Sequence, residues 1–287
     1  MTGSEATATL AGIMTTPARF IFATLLASAV AAPVTRAAAA EGGRDAPMGR
    51  VAVRRGVQSP DGLFTVRINL LVSASEGAFG KPTSIAPDLY YGVSDALQIG
   101  LLHTGPMGWQ TMPGAGLCLT GTDGGCPHVY DNVGFDLMYA LLRGNFHLSF
   151  HTSLYLFRIS APRWVMWTAG FTGKVHFTDV VAILFNPQIG VALTHRDVNE
   201  DQIFVPLELQ FQAGQAVSLK VLSGASGQLS AFADTIRVPL GLGLVGNVST
   251  SFDLGVRASF DNLLGHQAPG VSRTDERSIA VLAVFRT

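Results

Sequence analysis

From Leu63 onward the chain alternates apolar and polar residues with a period of two. That period puts successive side chains on opposite faces of an extended strand. Segments at 62–74, 83–93, 96–104 and 131–141 open the series. In the first, Val66, Ile68, Leu70 and Val72 alternate with Thr65, Arg67, Asn69 and Leu71. The pattern continues through 146–156, 165–177, 181–193, 203–212, 217–221, 236–244, 252–260 and 279–285. No segment spaces its apolar residues as a helix face does, so the chain reads as all-β with about twelve strands.

The links between segments sort by parity. Ser94-Asp95, Arg143-Gly144-Asn145, Thr178-Asp179, Ala213-Gly214-Gln215 and Gly246–Ser249 are tight and rich in turn residues. The intervening links, 75–82, 105–130, 158–164, 196–201, 223–232 and 262–276, are longer. Short turns at one end and long loops at the other are the habit of membrane barrels, and a soluble sandwich has no reason to adopt it.

Composition supports the same reading. Only 14% of the 287 residues are charged against 48% hydrophobic, and mean hydropathy is +0.34; soluble domains carry roughly 25% charge. The one continuous apolar run, Phe20–Ala32, falls short of the ~20 residues a spanning helix needs. It follows Arg19 and leads to Ala38-Ala39-Ala40, as in a secretory leader. A signal peptide over 1–40 and a periplasmic N-terminal segment over 41–61, with a minor strand at Val51–Val53, precede a barrel over 62–287; a retained anchor helix is the other reading of the leader. The near-neutral charge gives no reason to expect nucleic acid as a partner. In an oxidising compartment Cys118 and Cys126 are expected to form a disulfide; a metal site with His128 would want further ligands.

In hydrocarbon every backbone polar group must be paired within the protein, which leaves helices or closed barrels. One face of the segments is Leu, Ile, Val and Phe almost without charge; the other carries both charge signs with Gly, Ser and Thr. Tyr91, Tyr139, Phe146, Trp164, Trp167, Phe177 and Phe285 lie near segment ends, where interfacial girdles belong. The expectation is a transmembrane, antiparallel up-and-down β-barrel in a bacterial outer membrane, with lipid as its outer partner.

The stretch Tyr90-Tyr91-Gly92-Val93-Ser94-Asp95-Ala96-Leu97-Gln98-Ile99-Gly100-Leu101 resembles a hairpin of outer-membrane transporters, the phenol-degradation-pathway transporter-like barrels among them. Val245-Gly246-Asn247-Val248-Ser249 with Phe252-Asp253-Leu254-Gly255-Val256 looks like a second copy. Ala86–Gly92 and the loop holding Cys118 and Cys126 resemble other, uncharacterised outer-membrane barrel proteins. The resemblance implies a porin-like channel or transporter for small solutes, and insertion by the barrel-assembly machinery. Phe285 is followed by Arg286-Thr287, a departure from the terminal aromatic that assembly signals carry.

The polar face carries Arg67, Asp88, Asp136, His147, His151, Lys174, His176, Glu208, Lys220, Arg237, Asp253 and Arg257. These are the expected lumen-lining residues. They suit a solute pathway, or a polar network that holds a closed barrel rigid with function moved to loops 105–130 and 262–276; interleaved signs speak against strong ion selectivity. An outer-membrane hydrolase is a third reading, because His147, Ser149, His151 and Ser153 share one face. Neighbours two apart on a strand stand about 7 Å apart, too far for a nucleophile and base without help from rotamers. A metal site at His147, His151 and His176 is the alternative use of the histidines. The sequence shows no cofactor motif, neither a phosphate-cradling glycine loop nor a paired-cysteine metal site, and no catalytic or metal-binding residue is assigned.

Overall fold

The computed structural model describes residues 50–106, 111–159 and 162–287. The leader expected over 1–40 and the start of the segment expected over 41–61 lie outside these residues.

Twelve antiparallel wall strands close into a barrel. In chain order the strands are β1 (Phe64–Ser73), β2 (Thr83–Gly92), β3 (Leu97–Leu102), β4 (Gly116–Cys118), β5 (Tyr130–Asp131), β6 (Val133–Leu142), β7 (Phe146–Arg158) and β8 (Trp164–Thr178). They continue as β9 (Val181–Phe185), β10 (Gln188–Ala192), β11 (Gln202–Ala213), β12 (Val217–Gln228), β13 (Leu240–Asn247), β14 (Phe252–Phe260) and β15 (Arg277–Arg286). β1 pairs with both β2 and β15, which removes the sheet edges. β4 and β5 form a hairpin in the long β3–β6 loop, hung on β2 through Ser84 and Cys118. Cys118 and Cys126 are joined by a disulfide with Cα atoms 6.3 Å apart.

β9 and β10 are two halves of one wall strand, broken at Asn186-Pro187. Leu207–Phe211 of β11 pairs with β9, and Gln202–Phe204 pairs with β10. Pro206 falls opposite the break, and its carbonyl accepts the Asn186 N–H. The N–H that Pro206 lacks would point to the same side as that carbonyl, so the interruption accommodates a proline that a central strand otherwise excludes.

Two boundaries differ from the sequence reading. β12 runs to Gln228, well past the expected end at Val221, and pairs with β11 throughout. Its second half, Ser223-Gly224-Ala225-Ser226-Gly227, has no apolar alternation to reveal it. β13 begins at Leu240, after Pro239; the preceding residues meet β12 through a Ser226–Arg237 bridge and through the Ser223 hydroxyl, which donates to the Pro239 carbonyl. The minor strand expected at Val51–Val53 is absent: Ala52–Arg54 form a single 3-10 turn.

Leu242, Phe135, Leu193 and Leu154 stand outward and exposed. So broad an apolar exterior belongs in lipid; left in water it would be a patch far beyond what soluble monomers tolerate. Phe64, Tyr91, Tyr139, Phe146, Phe177, Phe252 and Phe285 ring the short-turn end, while Trp164 and Trp167 lie toward the long-loop end. The inner face is only partly polar. Leu71, Leu102, Met138, Met166, Leu222, Val245 and Val284 also point inward, as the second members of adjacent apolar pairs such as Leu70-Leu71 and Val221-Leu222.

Candidate functional site: the lumen

Two segments enter the barrel, one from each end, and a cavity of about 360 Å³ lies between them. At the short-turn end, residues 50–61 form a strap across the mouth. Lys174 Nζ donates to the carbonyls of Ala52 (2.9 Å) and Arg55 (3.0 Å). Arg55 reaches both oxygens of Asp253, at 2.5 and 3.2 Å. Val53, fully buried, donates its N–H to Gln212 Oε1 at 3.3 Å. Gln58 Nε2 donates to the Met138 carbonyl (3.0 Å), and Ser59 N–H to Gln98 Oε1 (2.7 Å). Arg50 donates to the carbonyls of Asn247 and Val248. The anchors come from β3, β6, β8, β11, β13 and β14, so the strap is tied nearly all round the ring. Gly92 makes room for it: a Cβ there would run into the Pro60 carbonyl.

At the other end, residues 103–106 turn inward from β3. Asp88 fixes the turn, accepting the N–H groups of His103 (2.8 Å) and Thr104 (3.1 Å) and the Thr104 hydroxyl (2.7 Å). Asn132 Nδ2 donates to the His103 carbonyl. Gln188 Nε2, on β10, donates to the Pro106 carbonyl at 2.8 Å. β6, β7 and β8 separate β3 from β10 in the wall, so this contact crosses the bore.

Around the cavity most cations of the wall gather on one arc, Lys174 of β8 being the exception. On the arc β12–β13–β14–β15–β1, Lys220, Arg257, Arg286 and Arg67 face inward, and Asp253 is the one inward carboxylate among the described residues of these strands. Arg286 shares Asp253 with Arg55 at 2.5 Å. Lys220 Nζ meets Glu208 of β11 at 2.6 Å, and Gln210 donates to the same oxygen at 2.5 Å. The Arg67 guanidinium lies over the Tyr90 ring, 5.2 Å from its centroid, and 4.0 Å from Asp88. Arg257 forms no ion pair among the described residues, and its enclosed Nε donates to no protein acceptor.

On the opposite arc, Asp136 of β6 bonds His151 Nε2 and accepts the Ser153 hydroxyl at 2.6 Å. Ser153 Oγ is 3.1 Å from that same Nε2, closer than backbone spacing implied, because Asp136 draws both side chains together. The arrangement is not a relay. A nucleophile and its orienting acid must engage opposite nitrogens of the imidazole, whereas here both meet Nε2 and the serine proton points to the aspartate.

The remaining expected residues separate. His147 stacks edge-on against His176, centroids 5.3 Å apart, beside the strap at Gly56. Among the described residues no three of His, Cys, Asp and Glu are grouped to hold a metal. Asp88 sits behind Arg67 and serves the inward loop. Arg237 leaves the cavity wall altogether and pairs with Glu276 near the long-loop end. Sequence reasoning missed Arg55, Arg286 and Gln188. Arg286 shares its alternation with Ser278 and could have been found by extending the last segment; the strap residues lie before the alternating region and give no such signal.

No family model matches the chain, and no curated protein does. Solved structures do share its shape. A NanC porin aligns at 7% identity and TM-score 0.53, covering 77% of this chain and 98% of the porin. A KdgM porin aligns at 7% identity and TM-score 0.51, with the same coverages of 77% and 98%. An outer membrane channel from Pseudomonas putida F1 aligns at 12% identity and TM-score 0.50, covering 80% of this chain and 97% of that one. With the apolar exterior, the closed ladder and the polar bore, the chain has the fold of the bacterial outer-membrane β-barrels of the porin and channel type.

Proposed function

We propose that this barrel sits in a bacterial outer membrane and conducts small solutes, with its short-turn end and strap on the periplasmic side. The observation that carries the reading is the 360 Å³ cavity, bordered by ionised and amide side chains inside a wall whose outside is apolar. Eight-stranded barrels are nearly filled by their own side chains, and sixteen-stranded ones leave an open aqueous channel. Twelve strands leave a narrow bore, which the strap and the inward loop narrow further. Purified protein in planar bilayers is expected to give small unitary currents, and flat current from folded protein would overturn the proposal.

A non-conducting barrel is the second reading, favoured by the tight seating of residues 50–61 and 103–106. The two readings part on Arg55→Ala, which loosens the strap: a channel gains conductance, and a sealed barrel stays silent. Hydrolysis has little support, since Ser153, His151 and Asp136 lack a relay.

A further inference from the structure

Two neighbouring rungs of the cavity wall share an unusual composition. In the first, Gly243 of β13 stands directly between Lys220 of β12 and Arg257 of β14. In the second, Gly255 stands between Val245 and Leu282. Gly243 and Val245 face the lumen two residues apart, so the rungs are about 7 Å from each other. Each rung has a gap at its centre: a cationic pair around one glycine, an apolar pair around the other.

We propose that Lys220 and Arg257 bind the carboxylate of small organic acids whose apolar body lies against Val245 and Leu282. Arg257 is the principal anchor. No carboxylate among the described residues lies within ion-pair distance of it, Asp261 and Glu208 acting only from farther off; its Nε is enclosed without an acceptor, and a guanidinium presents paired donors that match a carboxylate. Lys220 is balanced by Glu208 and adds a further donor on the other side of the gap. The apolar rung favours an organic acid over a fully hydrated anion such as phosphate, which would lose water there without recovering hydrogen bonds.

The glycine supplies a variant that keeps both cations. A Cβ on Gly243 would lie 3.4 Å from Lys220 Cβ and 3.7 Å from Arg257 Cβ, ordinary contact, whereas one on Gly241 would come within 2.9 Å of Ser259. Gly243→Asp therefore fits, and its carboxylate takes the place of the ligand's.

The inference deepens the channel reading and rests on it for its biological sense, but binding is measurable whether or not the barrel conducts. Folded full-length protein in detergent is titrated calorimetrically with benzoate, its neutral twin benzamide, and inorganic phosphate. Saturable benzoate binding is expected, with benzamide and phosphate at least about tenfold weaker. Arg257→Gln and Gly243→Asp should each weaken benzoate by about tenfold or more. Heat-dependent gel mobility shows that each variant is folded; if Arg257→Gln is not, Gly243→Asp carries the comparison. The proposal is overturned by absent benzoate binding, by benzamide or phosphate binding equally well, or by affinity unchanged in the folded variants. Silent bilayers with benzoate binding intact would instead remove the channel reading and leave the site.

Discussion

Truncating Arg55 to alanine should release the strap while leaving the barrel closed. The side chain contributes a two-point, charge-assisted contact to Asp253 at 2.5 and 3.2 Å. Its loss does not strand the carboxylate, because Arg286 at 2.5 Å and Asn247 Nδ2 at 3.0 Å still hold it. The cost is thus that of one charged hydrogen-bonded pair, about 1.5–3 kcal/mol, and not the 3–5 kcal/mol typical of orphaning a buried charge. The ratio of docked to released strap should fall about 10- to 150-fold. Asp253→Asn should do more, since Arg55 and Arg286, both nearly buried, then share no anion. Hydrogen exchange read by mass spectrometry over residues 52–59 reports the released fraction. Exchange that stays at the wild-type rate in both folded variants, or that rises more in Arg55→Ala than in Asp253→Asn, would refute the strap's electrostatic anchoring.

Other consequences are equally direct. Leu244 stands outward on β13 between Leu219 and Val256; Leu244→Arg puts a cation in the hydrocarbon and should cost about 2–4 kcal/mol, read as a lowered urea midpoint for the lipid-reconstituted barrel. Replacing both Cys118 and Cys126 with serine opens a loop of sequence separation 8; chain entropy puts the loss at about 2–3 kcal/mol, expected as faster exchange within 103–132 with the wall ladder unchanged. Asp201 is held below the usual carboxylate range by the Ala192 N–H and then by Arg196. A lowered value means its contribution to loop 193–201 is complete above about pH 4 and is lost as pH falls through the depressed value. An NMR titration of the Ala192 amide should show this transition, and a midpoint at or above the ordinary aspartate value would contradict it.

The wall was legible because lipid outside and a partly polar bore inside impose opposite demands on alternate residues. Val66, Ile68 and Leu70 against Thr65, Arg67 and Asn69 state that demand plainly. Where it lapsed, the sequence fell silent. Ser223–Gly227 contribute backbone pairing without side-chain contrast, and β12 was cut short there. Leu71, Met138, Leu222 and Val245 blur the contrast from within, because an apolar patch in the bore looks like more lipid-facing surface. The site was legible as a set of inward charges but not as an arrangement. Interleaving along the sequence is not interleaving around the bore: Lys220, Arg257, Arg286 and Arg67 fall on one arc because β12 to β15 adjoin β1 across the closure. The strap gave no sign at all, since Ala52 and Arg55 are held through backbone carbonyls and one distant carboxylate, contacts that leave no local pattern.

The closure also sets a chronology. Arg55 belongs to the first part of the barrel domain to be synthesised, yet the carboxylate it grips is on β14, and that carboxylate's other cation is on β15. The N-terminal segment therefore has no finished berth until the final hairpin is in place and β15 has met β1. Its seating is finished only with the ring, and a barrel arrested before its last strand would hold that segment by the earlier strands alone, more loosely and more open to a protease.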